Sequence, residues 1–173
     1  MDKNILIRKA KLEDAKGIVE LQAIGLKKNN WIYTGSNKPY SKEKINNLKK
    51  DLKSKSPESY SFVAVEKNNK KIIGSAMFSF RKTGRVRHRV SFGWGVHPDY
   101  QGKGIGTQLL KFALNFAKKK GYKIATAEAA LENVGSIKLG KKLGFKIIGK
   151  VKNGLLTDDK RYIDTAIMIK GLK

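Results

Sequence analysis

The chain has 173 residues and no cysteine, and its 38 Lys and Arg against 14 Asp and Glu give a formal net charge of +24. That length suits one domain, residues 1–173, with room for a substantial core; the lack of cysteine excludes a disulfide framework, a thiolate metal site and a cysteine nucleophile. Only Ile5-Leu6-Ile7 precedes Arg8, too short for a signal-peptide core, and nowhere do about 18 apolar residues run together, so no membrane span is expected and the reading is a cytoplasmic protein without a membrane partner.

Ile5-Leu6-Ile7-Arg8 reads as a short strand, and Glu13 to Gln22 follows as a helix with Ala15, Ile18 and Val19 at helical spacing. Leu26 to Tyr40 reads as a loop, broken by Gly35 and Pro39 and carrying the aromatics Trp31, Tyr33 and Tyr40. Ser41 can cap a second helix in which Ile45, Leu48 and Leu52 form the apolar stripe. Past Pro57 the period becomes strand-like over Tyr60–Glu66, Ile72–Phe80 and His88–Val96, with turns at Asn68-Asn69 and Thr83-Gly84, which predicts an antiparallel meander.

The strongest helix is expected over Thr107–Lys120, with Leu109, Leu110, Phe112, Ala113, Leu114, Phe116 and Ala117 buried and Gly121 as its stop. Ile124–Ala130 is then a buried strand, parallel to the third meander strand because a helical crossover joins them. A short helix over Asn133–Leu143 precedes an antiparallel pair, Phe145–Val151 and Arg161–Ile169, turning at Lys152-Asn153-Gly154 and Asp158-Asp159. The expected class is α/β (α+β): a mixed, mostly antiparallel sheet with one parallel pair, flanked by helices.

The organising stretch is Val96-His97-Pro98-Asp99-Tyr100-Gln101-Gly102-Lys103-Gly104-Ile105-Gly106-Thr107, where a strand passes through a proline turn and alternating glycines into a helix. Glycines let backbone N–H groups approach an anion, and the helix start adds unpaired donors and the positive end of its dipole. A dinucleotide fingerprint would need glycine where Thr107 stands, and Gly135 to Lys141, spaced like a P-loop, continues with Lys142 where Ser or Thr is required.

The pattern V-x-P-x-x-Q-G-x-G-I-G resembles the acyl-CoA-binding motif of the GNAT superfamily of N-acetyltransferases. Asn133-Val134-Gly135-Ser136-Ile137-Lys138-Leu139-Gly140-Lys141-Lys142-Leu143-Gly144-Phe145 is similar to that family's second motif, with Gly140 in the place of its tyrosine. The resemblance implies a single GNAT domain that uses acetyl-CoA as co-substrate. Its pyrophosphate would lie on the backbone of Gln101, Gly102, Lys103, Gly104, Ile105, Gly106 and Thr107. Its pantetheine arm would run beside the strand ending at Val96, whose neighbouring N–H would polarise the thioester carbonyl, and Asn133 would fix the arm. Glu128, the only acid on its strand, matches a glutamate that serves some relatives as general base; pairing with a lysine is the alternative. Trp31, Tyr33 and Tyr40 lie on the loop that lines the acceptor pocket in the family. The hydroxyl acid is missing at Gly140, with Tyr162 or water as substitutes.

The implied reaction is acetyl transfer to a primary amine of a small molecule or peptide N-terminus by direct attack. Rival readings are an acyl-CoA-binding module without catalysis and a basic RNA- or ribosome-associated protein. The charge would attract polyanions, but its lysines are scattered and outnumber arginine, so nucleic acid is the less favoured partner. The same field disfavours polycationic acceptors. His88 and His97 form no ligand set, so no metal is expected. No spacing specifies an oligomer.

Overall fold

The computed structural model describes residues 4–28, 40–55, 57–157 and 159–173. Its elements run β1 (Ile5–Lys9), α1 (Ala15–Lys28), α2 (Lys42–Lys53), β2 (Ser59–Glu66), β3 (Ile72–Phe80), β4 (Arg89–Val96), α3 (Ile105–Lys119), β5 (Ile124–Ala130), α4 (Val134–Lys142), β6 (Lys146–Leu156) and β7 (Tyr162–Gly171). The strands form a seven-stranded sheet in the order β1-β2-β3-β4-β5-β7-β6. All neighbours are antiparallel except β4 and β5, the pair joined through α3.

Alternation along the strands divides the side chains between two helical layers. Phe62, Ala76, Phe78, Val90, Phe92, Ala125, Ala127 and Met168 face α3, whose Leu109, Leu110, Ala113 and Ala117 fill the main core. On the opposite face Val63, Val65 and Ile72 meet Ile18 and Leu21 of α1, while Ile45 of α2 joins Ala15 and Val19. Ser41 caps α2 as its spacing predicts, its hydroxyl accepting from Lys44 N at 3.1 Å. β1 is tied to α1 by Arg8, whose guanidinium donates to Asp14 Oδ2 at 2.6 Å and Oδ1 at 2.9 Å; Lys11 N donates to the same carboxylate at 2.6 Å.

Three local expectations need correction. Helix α3 starts at Ile105, not Thr107, because Gly104 takes a left-handed conformation (φ 78°) and serves as the N-cap. Its C-terminus is as read: Gly121 (φ 88°) donates to Lys118 O at 2.9 Å and Tyr122 N to Ala117 O at 3.2 Å, a Schellman closure. Phe112 is exposed rather than buried, lying edge-on to Phe62 at the helix margin. β6 does not turn at Lys152-Asn153-Gly154. Instead it bulges there, with Asn153 at φ 56°, and continues to Leu156 because Asn153 N finds Asp164 Oδ1 at 2.9 Å.

Candidate active site

The parallel pairing of β4 with β5 runs from Arg89↔Ile124 to Phe92↔Ala127 and stops. Gly93–Val96 and Glu128–Ala130 continue past that point, so a slot opens in the middle of the sheet. Hydrogen-bonded and non-bonded pairs alternate in antiparallel ladders, which fixes what lines it. His97 N bonds Ile73 O at 2.9 Å on the β3 side. Gly95 and Gly93 therefore also bond β3, and the N–H and C=O groups of Trp94 and Val96 face the slot. Leu131 N bonds Asp164 O at 2.9 Å on the β7 side, so the corresponding groups of Glu128 and Ala130 face it from across.

The mouth of the slot is the glycine loop. Gln101 N is spent on Pro98 O (3.2 Å) and Gln108 N on Gly104 O (3.2 Å), while the backbone N–H groups of Gly102 to Thr107 have no acceptor among the described residues. Consecutive unpaired donors at a helix start form an anion cradle. Gly102 (φ 76°) and Gly104 (φ 78°) need positive φ, and a Cβ at Gly102 would meet nothing within 4 Å. Gly106 differs: its Cβ would lie 3.0 Å from Leu139 Cδ2 and 3.3 Å from Val96 Cγ2, so it allows α3 to pack on α4 and β4.

Gln101, expected to offer its N–H to phosphate, instead anchors the loop, with Nε2 donating to Val96 O at 3.1 Å. Ile105 is buried and has only its backbone to offer a ligand. The Lys103 ammonium lies 5.2 Å from the Tyr100 ring centre, and Tyr100 donates its hydroxyl hydrogen to Glu66 at 3.2 and 3.1 Å. Burial and that carboxylate raise the Tyr100 hydroxyl above the usual tyrosine range, keeping it a donor.

Glu128 is half-buried and projects to the α1/α2 face. Its Oε1 accepts from the hydroxyl of the fully buried Thr165, and among the described residues it has no ion pair, so the lysine partner is not what holds it. Asn133 caps α4, its Oδ1 accepting from Ser136 N at 3.0 Å, which leaves the Nδ2 donors for any cofactor arm. Trp31 and Tyr33 lie outside the described residues; Tyr40 stands just before α2, 47% exposed and outside the hydrophobic clusters. Tyr162 is 64% exposed. It lies six residues along β7 from Met168, about 20 Å at strand rise, and so does not reach the region of Gly140.

Sequence reasoning missed three features. Trp94 Nε1 is the one buried side-chain nitrogen or oxygen without a partner among the described residues, at a cost of about 1–3 kcal/mol if it stays so. Gly93 and Gly95 leave the α1/α2 face of β4 bare beside Glu128; a Cβ at Gly95 would meet nothing within 4 Å. Finally, four of the six arginines fall within residues 81–89, and two of them, Arg81 and Arg89, line an open cleft of about 410 Å³ with Glu58, Ser79, Ser91 and Thr126. Only the clustering of arginine in a lysine-rich chain signalled that cleft.

The sheet is split at its parallel pair with a glycine cradle at the mouth of the split, and the unpaired donors of Gly102–Thr107 fit a pyrophosphate. Residues 27–145 match the Acetyltransferase (GNAT) family, and the chain belongs to it. It is 32% identical over 107 residues to the L-amino acid N-acyltransferase MnaT of Escherichia coli (strain K12), covering 61% of this chain and 62% of that protein. It is also 32% identical over 90 residues to an L-methionine sulfoximine/L-methionine sulfone acetyltransferase of Salmonella typhimurium, covering 51% and 53%. The matched segments thus span less than two thirds of these relatives' own length. A phosphinothricin acetyltransferase from Sinorhizobium meliloti, solved with AcCoA, superposes with a TM-score of 0.83 at 24% identity, covering 97% of this chain and 88% of that one. Among the described residues no group of acidic or imidazole side chains could hold a metal, and no helix is long and apolar enough to cross a membrane.

Proposed function

We propose that this protein transfers the acetyl group of acetyl-CoA to the α-amine of an amino acid by direct attack, without an acyl-enzyme. The observation that carries the acceptor class is the arginine-lined cleft. Arg81 and Arg89 have no carboxylate partner among the described residues and share the cleft with the hydroxyl residues Ser79, Ser91 and Thr126, while its one acid, Glu58, lies 3.8 Å from the Lys82 ammonium. Guanidinium groups flanked by hydroxyl donors suit a carboxylate. Thr126 and Glu128 share one face of β5 about 7 Å apart, so an acceptor held by its carboxylate brings its amine toward Glu128. The amino-acid acyl acceptor named for the Escherichia coli relative supports the same class.

Acetyl-CoA supplies the activated acyl group. The N–H groups of Gly102–Thr107 bind its pyrophosphate, and the Asn133 amide with the inward backbone groups of Trp94, Val96 and Ala130 holds the arm. One of the inward N–H groups near Val96 stabilises the carbonyl oxygen as charge grows on it. Glu128 takes the proton that the amine loses as the carbon–nitrogen bond forms and the carbon–sulfur bond breaks. Arg81→Ala and Arg89→Ala should each raise KM for L-amino acids at least 10-fold, with little change for acetyl-CoA. An equal effect on amines lacking the carboxylate would contradict the assignment.

A further inference from the structure

We infer that the indole N–H of Trp94 donates a hydrogen bond to the sulfur of acetyl-CoA and stabilises the departing thiolate, the task left open by the absence of a hydroxyl at position 140. The inference rests on the acetyl-CoA reading above. Three observations converge. Nε1 of Trp94 is buried without a partner, although the residue lies on the part of β4 that borders the slot. Its ring packs on Phe145 at 5.9 Å between centres, and Phe145 Cβ lies 3.8 Å from where a Cβ on Gly140 would stand. Trp94 therefore shares its packing neighbour with the position at which the family places its tyrosine. A side chain at that position would need Met168 to move aside, because the Gly140 Cβ would come within 3.1 Å of Met168 Sδ. A buried donor that lacks an acceptor, on a residue bordering the slot, is what a site leaves for a ligand atom.

The chemistry is hydrogen bonding, not proton transfer. When the amine nitrogen bonds to the carbonyl carbon, the electron pair of the carbon–sulfur bond passes to sulfur. The indole keeps its proton, since it is far too weak an acid to give it up, and the coenzyme leaves as a thiolate that solvent protonates. A neutral donor facing a growing negative charge strengthens during the reaction, so its removal lowers kcat more than it weakens binding.

The decisive experiment titrates the thiol of bound CoA by thiolate absorbance in the wild type and in Trp94→Phe, alongside calorimetry with acetyl-CoA and steady-state rates. A second variant carrying benzothienylalanine at position 94 keeps the ring shape without the N–H. In a Trp31→Phe background Trp94 is the only indole of the two and reports CoA by its emission. The expected results are a bound thiol that ionises at lower pH in the wild type than in either position-94 variant, a 10-fold or greater fall in kcat from a lost charged hydrogen bond, acetyl-CoA affinity within about 3-fold, and a CoA-dependent change in Trp94 emission. Identical thiol titrations in wild type and variant, with acetyl-CoA still bound, would overturn the role of Trp94 alone. Failure of the wild type to bind acetyl-CoA would overturn this role together with the reading beneath it.

Discussion

Glu128 Oε1 accepts the hydroxyl hydrogen of Thr165 from the neighbouring strand β7. Thr165 is itself roofed by the β6 bulge: a Cβ on Gly154 would collide with its Oγ1, so only glycine lets the bulge lie there. This clamp leaves Oε2 of Glu128 without a hydrogen bond among the described residues, available to an amine. Glu128→Gln should lower kcat by about 10²-fold or more at neutral pH with acetyl-CoA affinity retained. The deficit should shrink as pH rises, because the amine then loses its proton unaided. Thr165→Val should cost less, since the carboxylate remains but is no longer aimed. Parallel pH–rate profiles for wild type and Glu128→Gln would remove Glu128 from proton transfer.

The loop glycines should separate in experiment. Gly104→Val places a β-branched residue at φ 78° beside the unpaired donors and should abolish acetyl-CoA binding in calorimetry while leaving a folded protein. Gly106→Val instead drives side-chain atoms into Leu139 and Val96 and should lower the thermal midpoint, an overpacking cost of about 1–3 kcal/mol.

The sequence made this loop legible because glycine spacing and helix punctuation are local signals. They located the cradle but not its division of labour: that Gly106 serves packing and that Gln101 bonds Val96 depend on where α4 and β4 lie in space. The β6 bulge escaped for the same reason, since Asn153-Gly154 is a turn signal that Asp164, eleven residues on, overrides. Glu128 was visible as the only acid on its strand, whereas its partner Thr165 belongs to a strand paired across 37 residues.

Restoring the family tyrosine tests the packing around position 140. Gly140→Tyr should lower stability by about 1–3 kcal/mol and not raise kcat, because its Cβ would crowd Met168 Sδ at 3.1 Å and Met168 must give way. A faster enzyme at unchanged stability would mean that protonation of sulfur limits the wild type.

The ion pair between Arg8 and Asp14 sets an acid limit on the fold. Burial raises the Asp14 carboxyl, but the Arg8 hydrogen bond, the Lys11 N–H and their charges outweigh it, and the net displacement is below the usual carboxylate range. A lowered folded value gives stability that is complete above the ordinary aspartate range near about 4 and is lost as pH falls through the folded value. Asp14→Asn should cost about 1–3 kcal/mol at pH 7, and the difference from wild type should close below that range in denaturant titrations at stepped pH.

Acetyl transfer itself is tested most directly by following free CoA thiol released from acetyl-CoA while L-amino acids are supplied one at a time. Release should require an amino acid, yield one N-acetyl product per thiol, and be far slower with the matching decarboxylated amine. Thiol release that ignores the acceptor, or none with any amine despite saturating acetyl-CoA, would contradict the proposed transfer.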